Sequence, residues 1–281
     1  MGVRILVDST ADLIPAIKQQ MMVVPLTIHF GDEEYRDGVD ISGQQFYEKL
    51  VESDVLPTTS QATPYDFENA FREAVEAGDD VVAVMISAKL SGTCQSAMIA
   101  AEEFPGRVFV LDSHNVAIGS GVLAQYGLEL AQKGLSAEEI YKELVRSRDE
   151  VKLIALLDTL EYLKRGGRIS KAAAIAGSLL SIKPVVNLTD GEVRILGKAR
   201  GSRQGNNMLV QEIEKSGGVD FEKPLLLGYT GLNDSLLQKY ISDSAALWEG
   251  QVEELHTALV GSVVGTHAGP GAVAVAFFAK H

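Results

Sequence analysis

Apolar runs alternate with amphipathic segments along the first 150 residues. Residues 3–7, interrupted only by Arg4, and residues 81–86 are apolar stretches, which are typical of strands buried on both faces. Between them, residues 64–76 carry Phe67 and Phe71 on one stripe at helical spacing. The regular alternation of strands and helices predicts a mainly parallel sheet with flanking helices.

The pattern changes after about residue 150. An Asp190-Gly191 pair lies between the apolar runs 183–187 and 193–198, which predicts a β-hairpin. Further strands are predicted at residues 22–30, 152–157, 225–229, 251–255 and 272–278, and a small-residue helix at 171–180. An antiparallel hairpin within an α/β pattern favours a mixed sheet. We therefore predict an α/β protein of two domains, residues 1–150 with a mainly parallel sheet and residues 151–281 with a mixed sheet.

Composition and charge disfavour several classes of partner and site. The 281-residue chain is 46% hydrophobic and carries a net charge of -13, which disfavours nucleic acid and anionic membrane surfaces as partners. A lone Cys94 excludes an internal disulfide, and the five histidines lack ligand spacing, so no metal site is expected.

One nearly uncharged segment, residues 258–279, could be taken for a membrane span. It is interrupted by a glycine- and proline-containing turn at 265–271, which would leave backbone groups unpaired in lipid. We predict no membrane span there. The apolar run at 3–7 is too short for a signal peptide, so the expected location is the cytoplasm.

Two hydroxyl-rich clusters are the main candidates for a binding site. Residues 56–64 contain Thr59, Ser60 and Thr63, and Ser91-Gly92-Thr93 follows the strand at 81–86. Neither cluster has a general base beside a nucleophile. They favour hydrogen bonding to a small polar or anionic group, although the same residues also suit turns and helix N-caps.

Two further residues leave alternatives open. Asp8 ends the first strand, where ligands of parallel sheets bind, but Thr10 replaces the second carboxylate of aspartyl-phosphate phosphatases. His267 lies in a glycine-rich segment, where backbone can approach a ligand, although a lone histidine in an apolar segment is more often a core residue.

Basic residues form two groups in this acidic chain. They are Lys164, Arg165, Arg168 and Lys171 in the first group, and Lys198, Arg200 and Arg203 in the second. These groups are either solvated faces or a basic rim around an anionic ligand or acidic partner, since arginine pairs well with carboxylate and phosphate.

Six short motifs, taken together, resemble the DegV family of bacterial fatty-acid-binding proteins. In order along the chain they are residues 7–10 (VDST), 59–61 (TSQ), 90–93 (LSGT), 161–169 (EYLKRGGRI), 183–184 (KP) and 265–271 (GTHAGPG). The resemblance runs from the first strand to the last. This chain departs from it at Ala62, where many relatives carry proline.

The resemblance implies a carrier that holds one long-chain fatty acid, of the palmitate, stearate or oleate type, in an apolar tunnel between two domains. It implies that an ATP-dependent fatty-acid kinase acts on the presented carboxylate to form an acyl phosphate for phospholipid synthesis. No cofactor and no catalytic residue of the chain itself are expected.

The resemblance also implies roles for particular residues. Thr59 and Ser91 would bind the carboxylate, and Ser60, Gly92, Thr93 and His267 would line the same pocket, with Arg168 and Arg200 near the mouth. The alternative is a phosphoryl- or acyl-transfer enzyme that uses Asp8 and His267. A DNA-binding regulator is a third hypothesis, which the acidic charge disfavours.

Overall fold

The computed structural model describes residues 2–169 and 182–280. Within these ranges the strands are β1 (Val3–Asp8), β2 (Met22–Val24), β3 (Thr27–Phe30), β4 (Glu33–Arg36), β5 (Thr58–Ser60), β6 (Asp80–Met85), β7 (Val108–Asp112), β8 (Val151–Leu156), β9 (Ile182–Thr189), β10 (Glu192–Arg200), β11 (Leu226–Tyr229), β12 (Thr257–Leu259) and β13 (Val273–Phe278).

The helices of the same ranges lie between these strands. They are α1 (Pro15–Lys18), α2 (Gly43–Glu52), α3 (Pro64–Glu76), α4 (Thr93–Ala101), α5 (Ile118–Gln132), α6 (Ala137–Ser147), α7 (Glu161–Arg165), α8 (Gly201–Lys215), α9 (Ser235–Asp243) and α10 (Ser262–Ala268).

The N-terminal half, residues 2–150, contains a four-stranded parallel sheet of order β2-β1-β6-β7. A small antiparallel sheet has the order β4-β3-β5, and its strands come between β2 and β6 in the sequence. Strand β5 holds part of the first hydroxyl cluster, and Thr59 is in register with Ile28 of β3. The backbone that presents Thr59 is therefore fixed by strand pairing.

The C-terminal half, from residue 151 onward, contains a six-stranded mixed sheet of order β10-β9-β8-β13-β11-β12. Only the β11–β12 pair is parallel, and the hairpin predicted around Asp190 and Gly191 joins β9 to β10. These two sheets confirm the predicted fold class. The domain boundary near residue 150 stays a prediction, consistent with the change of sheet between β7 and β8.

Helix α5 lies between the two large sheets and packs against β1 on one side and β13 on the other. Its first turns contain Gly119 and Gly121, and a β-carbon at Gly121 would overlap the carbonyl oxygen of Asp12. These glycines therefore allow α5 to pack closely against its neighbours.

Three helices begin with complete capping boxes. Ser42, Thr63 and Ser136 each accept a hydrogen bond from the amide three residues on, and the side chain of that residue bonds back. Thr63, one of the hydroxyls of the first cluster, is thus a helix cap.

Several predicted elements differ from the structure. The run at 22–30 is split into β2 and β3, because Pro25 cannot donate to a strand ladder and the chain changes sheets there. The strand predicted at 251–255 is wrong, since the pairing with β11 begins only at Thr257. The helix predicted at 171–180 lies outside the described residues.

Helix α8 was missed altogether. Its sequence contains Gly201, Gly205 and two asparagines, which are weak helix formers. Burial of Leu209 and Ile213 against the C-terminal sheet stabilises it, so tertiary packing outweighs local propensity.

The packing of α5 gives a first prediction. Gly121→Ala should lower the free energy of unfolding by about 1–3 kcal/mol, because the added methyl group meets fixed backbone. Gly127→Ala in the same helix is the control: its nearest neighbour is a Leu144 methyl 3.1 Å away, and better helix propensity of about 1 kcal/mol offsets the adjustment. Urea denaturation measures both, and equal losses would contradict this account of α5.

Candidate functional site

A cavity of about 410 Å³ lies between the two halves of the chain. Its walls are strands of the C-terminal sheet, helix α10, and segments at or after β2, β5, β6 and β7 of the N-terminal half. Most of its lining is apolar: Leu26, Ile86, Leu90, Val116, Ala117, Leu153, Ala155, Leu157, Leu163, Val186, Leu188, Val193, Val260, Val263, Val264, Ala268, Ala272 and Ala274. The volume is within the range of about 300–1,000 Å³ that is usual for small-molecule sites.

The polar lining contains most of the residues predicted as a binding site. Thr59, Ser60, Ser91, Gly92, Arg168 and His267 all line the cavity. The two hydroxyl clusters, separated by some thirty residues in the chain, thus meet at one cavity.

The Thr59 hydroxyl and the His267 ring are in direct contact. Thr59 Oγ1 lies 2.9 Å from His267 Nε2, at hydrogen-bonding distance. Thr59 comes from strand β5 and His267 from the last turn of helix α10, so this bond joins the two halves at the cavity wall. The glycine-rich segment predicted as a turn begins inside that helix.

His267 is held in an apolar environment. Burial first, and the positive charge of Arg168 second, together lower its pKa to about 4. Its Nδ1 is buried, has no hydrogen-bond partner among the described residues, and lies against the α-carbon of Gly166. The imidazole is therefore neutral near pH 7, and one ring nitrogen is still free to bond.

The Ser91-Gly92-Thr93 cluster begins helix α4. Ser91 Oγ lies 2.9 Å from Thr93 Oγ1 and accepts from the Thr93 amide at 3.3 Å. Thr93 is fully buried and does not line the cavity, so it supports Ser91 and is not itself in the wall. A side chain at Gly92 would overlap the amide of Gln61, which donates to Ser96 Oγ at 3.1 Å.

Arg168 brings positive charge to the cavity. Its Nε donates to the Leu90 carbonyl at 3.1 Å and its Nη1 to the Gly166 carbonyl at 2.6 Å. These bonds orient the guanidinium beside the second hydroxyl cluster. Both of these acceptors are neutral carbonyls, and within the described ranges no carboxylate pairs with Arg168, so its charge can attract an anion.

Arg200 is not brought to the cavity. It is exposed where β10 passes into α8, and its backbone amide donates to Gln204 Oε1 at 2.6 Å. Within the first basic group, Arg165 pairs with Glu161 on the surface, and Lys171 lies outside the described residues.

Asp8 is also absent from the cavity wall. It is fully buried, with Oδ2 accepting from the Ile86 amide at 2.7 Å and Oδ1 from the Thr10 amide at 3.0 Å and the Thr10 hydroxyl. These bonds fasten the end of β1 to the loop after β6. Asp8 and His267 therefore do not form one site.

Sequence reasoning missed three polar residues of the wall. Gln61 was present in a motif but was not assigned a role, and Asn187 and Thr230 lie at or near the ends of β9 and β11. Position at the end of a strand could have indicated the last two, but nothing in the sequence predicts which strand ends meet.

The described part of the chain offers neither a cluster of metal ligands nor a membrane-spanning helix. Across residues 2–169 and 182–280, no group of three or more His, Cys, Asp or Glu side chains could hold a metal ion. In those same ranges, no helix is both long and apolar enough to cross a membrane.

Comparison with known proteins identifies the family. The model of the DegV family, described as an uncharacterised protein family, matches residues 2–280. This chain belongs to the DegV family. A DegV domain-containing protein of Caldanaerobacter subterraneus subsp. tengcongensis is 34% identical over 282 residues, covering 99% of each chain.

Solved DegV structures share the fold. A fatty-acid-binding DegV family protein from Thermus thermophilus is 34% identical, covers 100% of both chains and superposes with a TM-score of 0.88. A stearic-acid-binding protein from Eubacterium ventriosum is 27% identical, covers 99% of this chain and 98% of its own, and has a TM-score of 0.87. These structures confirm the resemblance to the DegV family.

The buried histidine of this DegV chain gives a pH prediction. Because the pKa of folded His267 is about 4 and the unfolded value is about 6.5, its contribution to stability is fully present above pH 6.5 and is lost as the pH falls towards 4. The lost contribution is at most about 3 kcal/mol. Urea denaturation of wild type and His267→Asn between pH 7 and 4.5 measures it: the wild type should lose more stability than the variant. Equal losses would contradict a depressed pKa.

Proposed function

We propose that this chain binds one long-chain fatty acid in the cavity between its halves and presents the carboxylate to a fatty-acid kinase. The acyl chain lies along the apolar walls, and the carboxylate lies at the end formed by Thr59, Ser91, Arg168 and His267. Palmitate, stearate and oleate are the ligands expected.

The observation that carries this proposal is the division of the cavity into two kinds of wall. Aliphatic side chains, among them those of β8, β9, β13 and α10, supply most of the surface. Hydroxyl groups, the Gln61 and Asn187 amides, one guanidinium and one neutral imidazole supply most of the polar remainder. A long apolar chain with one anionic end matches that division.

The chemistry of the polar wall suits a carboxylate. The Thr59 and Ser91 hydroxyls can each donate a hydrogen bond, and Arg168 provides a positive charge whose present acceptors are neutral. Hydrogen bonds to an ionised acceptor are stronger than those to a neutral one. Ser60 and Gly92 shape the same wall, and Thr93 supports Ser91 from behind.

The acyl chain supplies most of the affinity in this proposal. Each buried methylene contributes about 0.8 kcal/mol, so a chain of some fifteen methylenes contributes roughly 12 kcal/mol before ordering costs. The head group needs only enough polar contact to replace the water that it loses.

The related structures support the same ligand class. The Thermus thermophilus and Eubacterium ventriosum proteins are described as binding a fatty acid and stearic acid, and both match this chain over almost its whole length. A DegV protein from Bacillus subtilis, 28% identical with a TM-score of 0.86, is likewise described as a fatty acid binding protein.

Presentation to a kinase is the finer part of the proposal, and it rests on the family resemblance. A carrier needs no general base of its own, since its partner makes the acyl phosphate in the cytoplasm. Arg200 is exposed at the start of α8, where it could contact the kinase or the transferred phosphate. The rival enzyme, with Asp8 and His267 acting together, has no support in their geometry.

Substitution of Thr59 tests the head-group site. Thr59→Val keeps the shape of the side chain but removes a hydrogen bond to an ionised acceptor, worth about 1.5–3 kcal/mol, so fatty-acid affinity should fall about tenfold to a hundredfold. Thr58→Val is the matched control, because Thr58 is the neighbouring, exposed residue of the same strand and does not line the cavity. Displacement of a fluorescent fatty acid measures both variants. If Thr59→Val binds as tightly as Thr58→Val, the carboxylate is not at this site.

A further inference from the structure

A second cavity of about 290 Å³ lies on the other side of the start of helix α10. We call it the carboxylate cavity, and it is lined by Ser9, Asp12, Leu13, Lys18, Val23, Pro25, Asp37, Gly38, Val39, Gly43, Leu259 and Gly261. None of these residues lines the cavity proposed for the fatty acid. The carboxylate cavity lies where the loop after β1, the loop after β4 and the segment between β12 and α10 meet.

Two buried carboxylates converge at the bottom of this cavity. Asp12 and Asp37 are only 3% and 6% exposed. An oxygen of Asp12 and one of Asp37 lie 3.0 Å and 3.7 Å from the position that a β-carbon would take at Gly261. A glycine at 261 therefore leaves open a space that both carboxyl groups border.

The carboxylate of Asp12 is incompletely satisfied. Its Oδ1 accepts a hydrogen bond from the Gly261 amide at 2.8 Å, whereas its buried Oδ2 has no partner among the described residues. A buried oxygen without a partner is rare in folded proteins and indicates an ion or water that completes its contacts.

Lys18 does not neutralise the pair directly. It lines the same cavity, but it forms no ion pair within 4.0 Å in the described parts of the chain, and it influences the two carboxyl groups only from a distance. Burial raises the pKa of both groups, that of Asp12 to about 7, and no basic side chain of residues 2–169 and 182–280 forms an ion pair with either.

The dimensions and the opening of the cavity suit a hydrated ion. A water molecule occupies about 30 Å³ of liquid, so the cavity has room for an ion and several waters. Its rim includes Val23 and Val39, which are 38% and 59% exposed, so an ion can enter from solvent.

We propose that the carboxylate cavity binds one hydrated divalent cation of the Mg²⁺ type between Asp12 and Asp37. Mg²⁺ retains most of its water and binds proteins through one or two carboxylates, which is what this cavity offers. Calcium, which takes six to eight oxygen ligands from its site, fits less well. The ion joins the loops after β1 and β4, and the hydrogen bond from the Gly261 amide to Asp12 connects them to the start of α10.

Binding of Mn²⁺, a paramagnetic stand-in for Mg²⁺, tests this proposal on the intact chain without added fatty acid. Electron paramagnetic resonance of free Mn²⁺ should show one saturable site per chain that Mg²⁺ competes for. Asp12→Asn and Asp37→Asn should each weaken the site at least about tenfold, since affinity follows the number of charged ligands. Asp32→Asn, which removes the same charge from an exposed turn between β3 and β4, should bind as wild type does.

The variant Lys18→Gln should change the affinity for Mn²⁺ in the opposite direction from the aspartate variants. Removal of the nearby positive charge should tighten Mn²⁺ binding, a result that a purely structural role of Asp12 and Asp37 would not produce. Saturating Mg²⁺ should also raise the melting temperature of wild type and of Asp32→Asn, but not of Asp12→Asn.

If an aspartate variant fails to fold, anomalous scattering from wild-type crystals grown with Mn²⁺ can still locate the ion. A Mn²⁺ peak between Asp12 and Asp37 in the wild type is the expected result. No saturable binding at millimolar Mn²⁺, or a peak elsewhere with only water in this cavity, would overturn the proposal.

Discussion

The hydrogen bond between the Thr59 hydroxyl and the His267 ring joins the N-terminal half of the chain to the C-terminal half at the wall of the main cavity. Other polar contacts between the halves surround the same region. Tyr47 donates to the Val260 carbonyl at 2.9 Å, Ser87 to the Gly191 carbonyl at 2.8 Å, and Arg168 to the Leu90 carbonyl. The polar end of the cavity therefore exists only when the halves are packed together.

That packing depends on small residues where helices meet sheets. Gly121 lets α5 approach the Asp12 carbonyl, and Gly166 leaves room for the buried edge of the His267 ring. Between these points the walls of the cavity are aliphatic. The space is apolar and its few polar groups lie together, as the proposal of a ligand with one long apolar chain and one anionic end requires.

Much of the fold could be predicted from local pattern. The Asp190-Gly191 hairpin and the buried strand β6 follow from short-range rules, and the structure confirms them. Helix α8 could not be predicted, because its weak helix formers are stabilised only by contacts that are distant in sequence. The split at Pro25 was available from the sequence and was overlooked.

The candidate site could likewise be predicted only in part. Hydroxyl groups could be recognised as hydrogen-bond donors from residue type alone. The family resemblance predicted that Thr59, Ser91 and His267 belong to one pocket. Their distances could not be predicted, and neither could the position of Thr93 behind Ser91 or of Arg200 away from the cavity. Tertiary packing decides which side of a loop faces a ligand, and no spacing in the sequence records it.

Native mass spectrometry of the purified chain, followed by solvent extraction of what it carries, tests the central claim most directly. The account predicts one long-chain fatty acid per chain, either carried through purification or taken up on incubation with palmitate, stearate or oleate. A chain that is empty, and remains empty after that incubation, would contradict it.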